Sequence, residues 1–452
     1  MELPGFGWAR RKPVTVQQSR RLAACCVLWL LLSLWAAAEG AGTAVSAADS
    51  TNPRGTERPL RAECSPLRQA GRAVLFLPYA GIRTVLWAPE QLAFFDARYE
   101  LSSRMVALLT FRAGQYKTEL GPFFSYESST GLGLAGAAIG ARDWFGSGAD
   151  MKLKFSYVGS RRNYFSFGLE REASPFGWQL DGKIERRADH PFYGLGPQSS
   201  DDRFDADRDQ ATVEAGLRFT PHSGVEARLT GYFDDTELDD PEDADPVSTA
   251  FPTLWSRATD SQYVGLEAQF LLDGRNDGDF SSRGGALRLM GGVNDSRSAS
   301  SASYEHYSAE AQYFVNLHDD TRVLALRAYG EALESRDWDG VPYTNLVRFG
   351  GSDGLRGYSR YRFADRQGLL VTAEYRYLLT THWQGRIFTD WGSVAPKWKL
   401  MRLAQTDPIF GFALALESHR FPLLMQIARS PESTEFYVGT HSIFDLHSRR
   451  ER

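Results

Sequence analysis

The stretch Val264-Gly265-Leu266-Glu267-Ala268-Gln269-Phe270-Leu271-Leu272 decides the fold class. Val264, Leu266, Ala268, Phe270 and Leu272 fall on one face of an extended chain, with Gly265, Glu267 and Gln269 on the other, because successive side chains of a strand point to opposite sides. Upstream, Met151, Leu153, Phe155 and Tyr157 alternate with Lys152, Lys154 and Ser156, and Val213, Ala215, Leu217 and Phe219 with Thr212, Glu214, Gly216 and Arg218. Downstream, Phe410, Phe412, Leu414 and Leu416 make another apolar face, and Phe421, Leu423, Met425 and Ile427 one more.

Such alternation suits either a soluble sandwich or a transmembrane barrel. Three features select the barrel. The segments run about ten residues or more, where soluble strands average about five or six. Their polar faces carry full charges, among them Lys152, Lys154, Glu214, Arg218, Glu267, Arg327, Glu331, Glu374 and Arg376. The chain also opens on an export signal, with no helix left afterwards to anchor it. The connections agree: turns such as 221–224, 317–320 and 380–381 are short, while 189–208, 235–260 and 334–367 are long and take every second position. Outer-membrane barrels have short periplasmic turns and long external loops. The expectation is an all-β protein, a transmembrane antiparallel β-barrel of about 16 strands over 115–444, with a short N-terminal helical segment and both termini periplasmic.

The net charge of -5 and the lack of a basic domain argue against nucleic acid. At the front, the apolar run 22–38 follows Arg10, Arg11, Lys12, Arg20 and Arg21 and precedes small residues at Ala36-Ala37-Ala38 and Val45-Ser46-Ala47. That pattern reads as a secretory signal peptide over 1–48. Cys25 and Cys26 leave with it, so the mature chain keeps Cys64 and forms no internal disulfide. Residues 49–72 are polar with Pro53, Pro59 and Pro66 and read as a disordered linker. In 73–112, Leu92, Phe95, Tyr99, Val106 and Leu109 recur at helical spacing behind Pro89. This amphipathic helical segment suits a bilayer surface, a lumen plug or plain packing against the barrel. Residues 445–452 form a C-terminal tail.

One loop differs from an ordinary surface connection. In Val347-Arg348-Phe349-Gly350-Gly351-Ser352-Asp353-Gly354-Leu355-Arg356-Gly357-Tyr358, glycines free the backbone to double back, and Arg356 stands among them beside Tyr358. Glycines and a fork-shaped guanidinium suit a loop folded into a polar cavity that holds carboxylates; an ordinary Gly-rich hairpin loop is the simpler reading. By parity, Thr372, Glu374 and Arg376 share one face, and Gln384, Arg386 and Asp390 share another opposite Trp383, Ile387 and Trp391. Glu374 and Asp390 thus point into the lumen, within reach of Arg356.

These residues resemble the BamA/TamA superfamily of outer-membrane insertases, also called the bacterial surface antigen family. Gly350 and Gly351 followed by Leu355-Arg356-Gly357-Tyr358 match the inward-loop motif of that family, and Glu374 and Asp390 stand where it carries lumenal acids. Asp273-Gly274-Arg275-Asn276 with Phe280 and Arg283-Gly284 resembles its acidic-Arg turn, and Phe192-Tyr193-Gly194-Leu195-Gly196 one of its loops. The last strand, with Tyr437, Gly439 and Phe444, resembles an outer-membrane assembly signal, although Ser442 stands where an apolar residue is usual. The resemblance implies insertion or translocation of protein or lipid at the bacterial outer membrane. The implied partners are the lipid bilayer, lipopolysaccharide, an outer-membrane protein or lipid substrate, and the barrel assembly machinery for the chain's own insertion. The room before the barrel is too short for the periplasmic polypeptide-transport-associated domains of the family. A member without them is therefore expected, and a passive channel or structural barrel without insertase activity is the alternative.

No cofactor, metal or catalytic set is expected. The acidic run from Asp234 to Asp245 lacks the spacing and glycine of a calcium loop, and the histidines form no ligand pair. No Gly-x-Ser-x-Gly element occurs. An outer-membrane hydrolase stays open only because triads are not local in sequence.

Overall fold

A computed structural model describes residues 110–446 except 114–115, 145–147, 160, 319, 353, 380–382, 417–422 and 440–441. The expected signal peptide, the linker, the helical segment up to residue 109 and the tail beyond residue 446 lie outside the described residues. The strands are β1 (Thr110–Ala113), β2 (Tyr116–Glu127), β3 (Gly131–Trp144), β4 (Ala149–Val158), β5 (Arg162–Arg171), β6 (Phe176–Phe192), β7 (Phe204–His222), β8 (Val225–Asp239), β9 (Asp260–Asp273) and β10 (Gly284–Ser296). They continue with β11 (Tyr304–His318), β12 (Arg322–Glu334), β13 (Val347–Phe349), β14 (Phe363–Asp365), β15 (Gln367–Leu378), β16 (Trp383–Ala395), β17 (Ile409–Leu416), β18 (Leu423–Arg429) and β19 (Thr434–Gly439). Two short helices, α1 (Val247–Ala250) and α2 (Pro252–Ala258), sit between β8 and β9.

Each barrel strand pairs antiparallel with the next, β12 with β15 across the long loop, and β19 returns to β2. The result is a 16-stranded, nearly closed antiparallel barrel, with β1 attached to the lower half of β2. Closure removes the sheet edges that would otherwise carry unpaired backbone groups through hydrocarbon. The seam is its weak place. Among the described residues, β19 meets β2 where Tyr437 faces Glu127 and Val438 faces Tyr126, whereas β15 and β16 stay in register from Gln367–Ala395 to Leu378–Gln384. Ser128 extends the seam at its outer end, donating from its backbone N–H to the Phe436 carbonyl at 3.0 Å.

The alternation of residues 264–272 is realised. Val264, Leu266, Phe270 and Leu272 stand exposed on the outside, while Tyr263 and Leu271 are buried inside. Phe155, Trp178, Ile184, Val213, Leu217, Val293, Tyr313 and Phe436 continue the exposed apolar surface around the wall. A surface so extensively apolar requires lipid as its solvent. No helix among the described residues is long and apolar enough to cross a membrane. The inward faces instead bury Arg187, Arg288, Arg327, Arg376, Arg386, Glu310, Glu374 and Asp390.

Three boundaries differ from the sequence reading. β6 and β7 run into the expected 189–208 loop, pairing His190 with Ala206 and Phe192 with Phe204 beyond an irregularity. Their extension is packed by Phe192, Ala206, Leu238, Val247 and Tyr343, so apolar contact with the α1–α2 connection continues the ladder past the apolar band. The expected helical segment reaches into β1, whose residues Thr110 to Ala113 pair with Glu119 to Tyr116. Finally, the last strand stops at Gly439 instead of running to 444. Ile443, Phe444 and Leu446 are buried inside the barrel. Arg275 Nη1 and Gln312 Nε2 each donate to the Phe444 carbonyl at 3.0 Å, and the Phe444 ring lies 5.5 Å from that of Phe314. Those lumenal donors satisfy the backbone better than an edge position would.

Candidate functional site

The connection from β12 to β15 folds into the lumen. β13 and β14 form its neck, pairing Val347 with Asp365 and Phe349 with Phe363. Beyond the neck the chain needs left-handed backbone at Gly350 (φ 119°), Gly351 (φ 88°) and Gly357 (φ 90°), which glycine adopts without a Cβ penalty. The Gly351 N–H donates to the Tyr358 carbonyl at 3.0 Å and closes the turn. Leu355, Arg356 and Tyr358 are all buried, and Tyr358 packs edge-on against Phe363 with ring centroids 4.9 Å apart.

Arg356 is fully buried. Its Nε and Nη2 donate to Asp390 Oδ2 and Oδ1, both at 2.8 Å, in the two-point fork that only a guanidinium provides. Nη1 donates to Gln426 Oε1 at 3.0 Å and reaches Glu374 Oε2 at 3.5 Å. The cation also lies 3.4 Å from the centroid of the Phe388 ring. Thr372 Oγ1 donates to Asp390 Oδ1 at 2.9 Å. Glu374 accepts from Arg376 Nε at 2.8 Å and from Arg386 Nη1 at 3.4 Å. Arg386 then reaches Ser442 Oγ at 3.3 Å, and Arg376 lies 4.7 Å from the Phe444 ring centroid. One buried polar chain thus runs from the loop to the C-terminal segment.

The loop also touches both sides of the seam. On the β19 side, the Gly357 N–H donates to the Tyr437 hydroxyl at 3.0 Å, and Ser433 Oγ donates to the Gly357 carbonyl at 2.8 Å. Arg362 grips Glu432, in the β18–β19 turn, at 2.7 and 3.0 Å. On the β2 side, Arg360 Nη1 reaches Glu127 Oε2 at 3.5 Å. Gly357 is crowded as well as left-handed: a Cβ would lie 3.1 Å from both the Arg429 carbonyl carbon and Ile409 Cγ2. Gly357→Ala is therefore expected to destabilise the barrel by about 1–3 kcal/mol, read as a lower urea midpoint. Gly439→Ala, where a Cβ meets nothing within 4 Å, should leave that midpoint in place.

The structure brings Gly350, Gly351, Leu355, Arg356, Gly357, Tyr358, Glu374, Asp390 and Tyr437 into one site. It places Gly439 at the end of β19 and Phe444 in the lumen, the latter joined to the site through Arg376 and, by way of Ser442, through Arg386. Sequence reasoning missed Gln426, Phe388, Glu127 and Arg360. Parity could have found Gln426, since it lies between Met425 and Ile427 of an outward apolar face. Glu127 and Arg360 carry no local signal, because their meeting depends on how far the loop descends.

A family model described as the Omp85 superfamily domain matches residues 143–409. BamA from Haemophilus ducreyi lacking POTRA domains 1–3 superposes with a TM-score of 0.54 at 14% identity, over 72% of this chain and 70% of that one. CdiB from Acinetobacter baumannii gives a TM-score of 0.45 at 14% identity, over 72% of this chain and 60% of that one. CdiB from Escherichia coli gives 0.48 at 11% identity, over 73% and 63%. A search of curated proteins found no match.

Proposed function

Since the chain belongs to the Omp85 superfamily of bacterial outer-membrane barrels, whose members are insertases or transporters and not classical enzymes, we propose that it inserts or translocates protein or lipid through its seam. The observation that carries this reading is the seam itself. Among the described residues, two pairs join β19 to β2, and the inward loop clasps Tyr437 and Glu432 on one side and Glu127 on the other. A short ladder held by side chains can open at modest cost, because few backbone bonds must be exchanged. Opening exposes two strand edges, and an exposed edge is a template for a further strand. In this reading Arg356, Glu374 and Asp390 hold the loop, and the loop sets how readily the seam parts. The substrate arrives as an unpaired strand or as a lipid chain at the bilayer face of β19 and β2, with lipopolysaccharide and phospholipid as the surrounding solvent. Tyr437, Gly439 and Phe444 serve the chain's own delivery to the barrel assembly machinery.

Depleting the protein and quantifying the outer-membrane proteome and lipid content tests the proposal. Loss of a defined set of barrels, or a shift in outer-leaflet lipid, is expected within a few generations. An unchanged outer membrane, together with steady ion conductance of the purified protein in planar bilayers, would establish a passive channel in its place.

A further inference from the structure

Apart from the Arg356 site, the lumen holds a second group of arginines, Arg187, Arg208, Arg348 and Arg360. Arg187 on β6 and Arg208 on β7 face each other in register, an arrangement of like charges that weakens a sheet unless something neutralises it. Arg348, on β13, and Arg360 close over them from the inward loop. All three guanidinium groups of Arg348, Arg360 and Arg187 lie over the ring of Tyr361, at 4.1, 5.0 and 5.8 Å from its centroid. Tyr361 itself holds a left-handed backbone at φ 57°, a strained conformation for a residue with a bulky side chain.

Among the described residues, carboxylates meet these cations unevenly. Arg187 meets Asp189 at 3.2 Å and Arg360 meets Glu127 at 3.5 Å. Arg208 meets Glu185 at 3.3 Å, but Glu185 is shared with Arg162 at 2.8 Å and Lys183 at 4.0 Å. Among the described residues, Arg348 has no carboxylate within salt-bridge distance; its Nη1 is 2.7 Å from His190 Nε2. Arg208 is 8% exposed, and its Nε is buried without a hydrogen-bond partner. Buried guanidinium groups without full pairing are costly. Arg208, Arg348, Arg360 and Tyr361 line a lumenal cavity of about 790 Å³, ample for a tetrahedral oxyanion with its hydration.

The geometry points to an anion site here: Arg208, Arg348 and Arg360 bind one phosphate group in the lumen, with Tyr361 as the platform that holds the guanidinium planes apart. A phosphate oxyanion offers several acceptors at once, which matches guanidinium forks converging from a strand and a loop. The group arrives either as free inorganic phosphate or as the phosphate of a lipid headgroup; the chemistry at the site is the same. Because Arg348 and Arg360 belong to the inward loop while Arg208 belongs to the wall, occupancy ties the loop to β7.

Isothermal titration of the intact protein in a non-ionic detergent, with inorganic phosphate at constant ionic strength, tests the site. Saturable binding is expected, weakened by about tenfold or more in Arg348→Gln and in Arg208→Gln. Lys152→Gln, on another stretch of the cavity wall, should bind as the parent does. Each variant is first checked for the gel-mobility shift of a closed barrel, and Arg360→Gln serves where another variant fails it. Native mass spectrometry of protein extracted from outer membranes separates the sources. A phosphate-bearing lipid retained by the parent and lost in Arg348→Gln supports the headgroup, and phosphate binding with no retained lipid supports the free ion. No binding by either route overturns the proposal, as does equal binding in the arginine variants. So does a tyrosinate absorption band at neutral pH that vanishes in Tyr361→Phe, since the phenolate would then be the counter-ion.

Discussion

Replacing Arg356 by alanine is expected to destabilise the barrel by about 3–5 kcal/mol, the usual cost of removing one member of a buried charge set. Among the described residues, the substitution leaves Asp390, which is 0% exposed, with Thr372 Oγ1 as its side-chain donor, and frees Gln426 from its bond at 3.0 Å. Glu374 suffers less, because Arg376 and Arg386 still hold it at 2.8 and 3.4 Å. Urea unfolding followed by gel mobility measures the loss. Arg356→Lys should recover only part of it, since an ammonium cannot span both oxygens of Asp390. The double variant Arg356→Ala with Asp390→Ala should cost less than the sum of the singles, because the second change removes the stranded charge that made the first so costly. Simple additivity would show that the two residues do not act together.

The second large effect concerns the seam. Tyr126 and Val438 face each other across it, and facing residues in antiparallel strands have Cα atoms about 4.5–5.5 Å apart, inside the window for an unstrained disulfide. Tyr126→Cys with Val438→Cys, in a chain whose own cysteines are replaced by serine, should therefore oxidise to a locked barrel. The locked protein is expected to lose most of its ability to rescue depleted cells, and a reductant should restore it. Because Tyr437 and Glu127 are untouched, the loop contacts survive, and the reduced form of the same variant controls for the loss of the Tyr126 ring beside Phe436. Full activity in the oxidised state would rule out transport through the seam and leave the lumen as the route.

What the sequence made legible follows from which forces act locally. Alternation set the strands because lipid on one side and a polar lumen on the other force a period of two. The same parity turned Glu374 and Asp390 inward, and the glycines around Arg356 marked a chain that must double back. Arg360 and Glu127 could not be paired in advance, because they lie 233 positions apart and meet only through tertiary folding. Trp383 shows the limit of parity: alternation turned it outward with Ile387 and Trp391, yet it is buried. The early end of β19 was equally hidden. Tyr437-Val438-Gly439 with Ser442-Ile443-Phe444 alternates well enough to continue as a strand, and what stops it is a set of donors contributed by β11 and the turn before β10.

That inward turn fixes an order of events. The Phe444 carbonyl is held by Arg275 and Gln312, 169 and 132 positions upstream, and the Leu446 carbonyl by Arg288, 158 positions upstream, at 2.9 Å. Contacts so distant in sequence form late, after the intervening chain has lost its freedom. The end of the chain therefore finds its donors only when β10, β11 and the turn between β9 and β10 already stand in place. An incomplete barrel offers these carbonyls no donors and the Phe444 ring no place beside Phe314, whereas a finished one supplies both. Burial of this segment is thus a record that the wall formed by β9, β10 and β11 is complete.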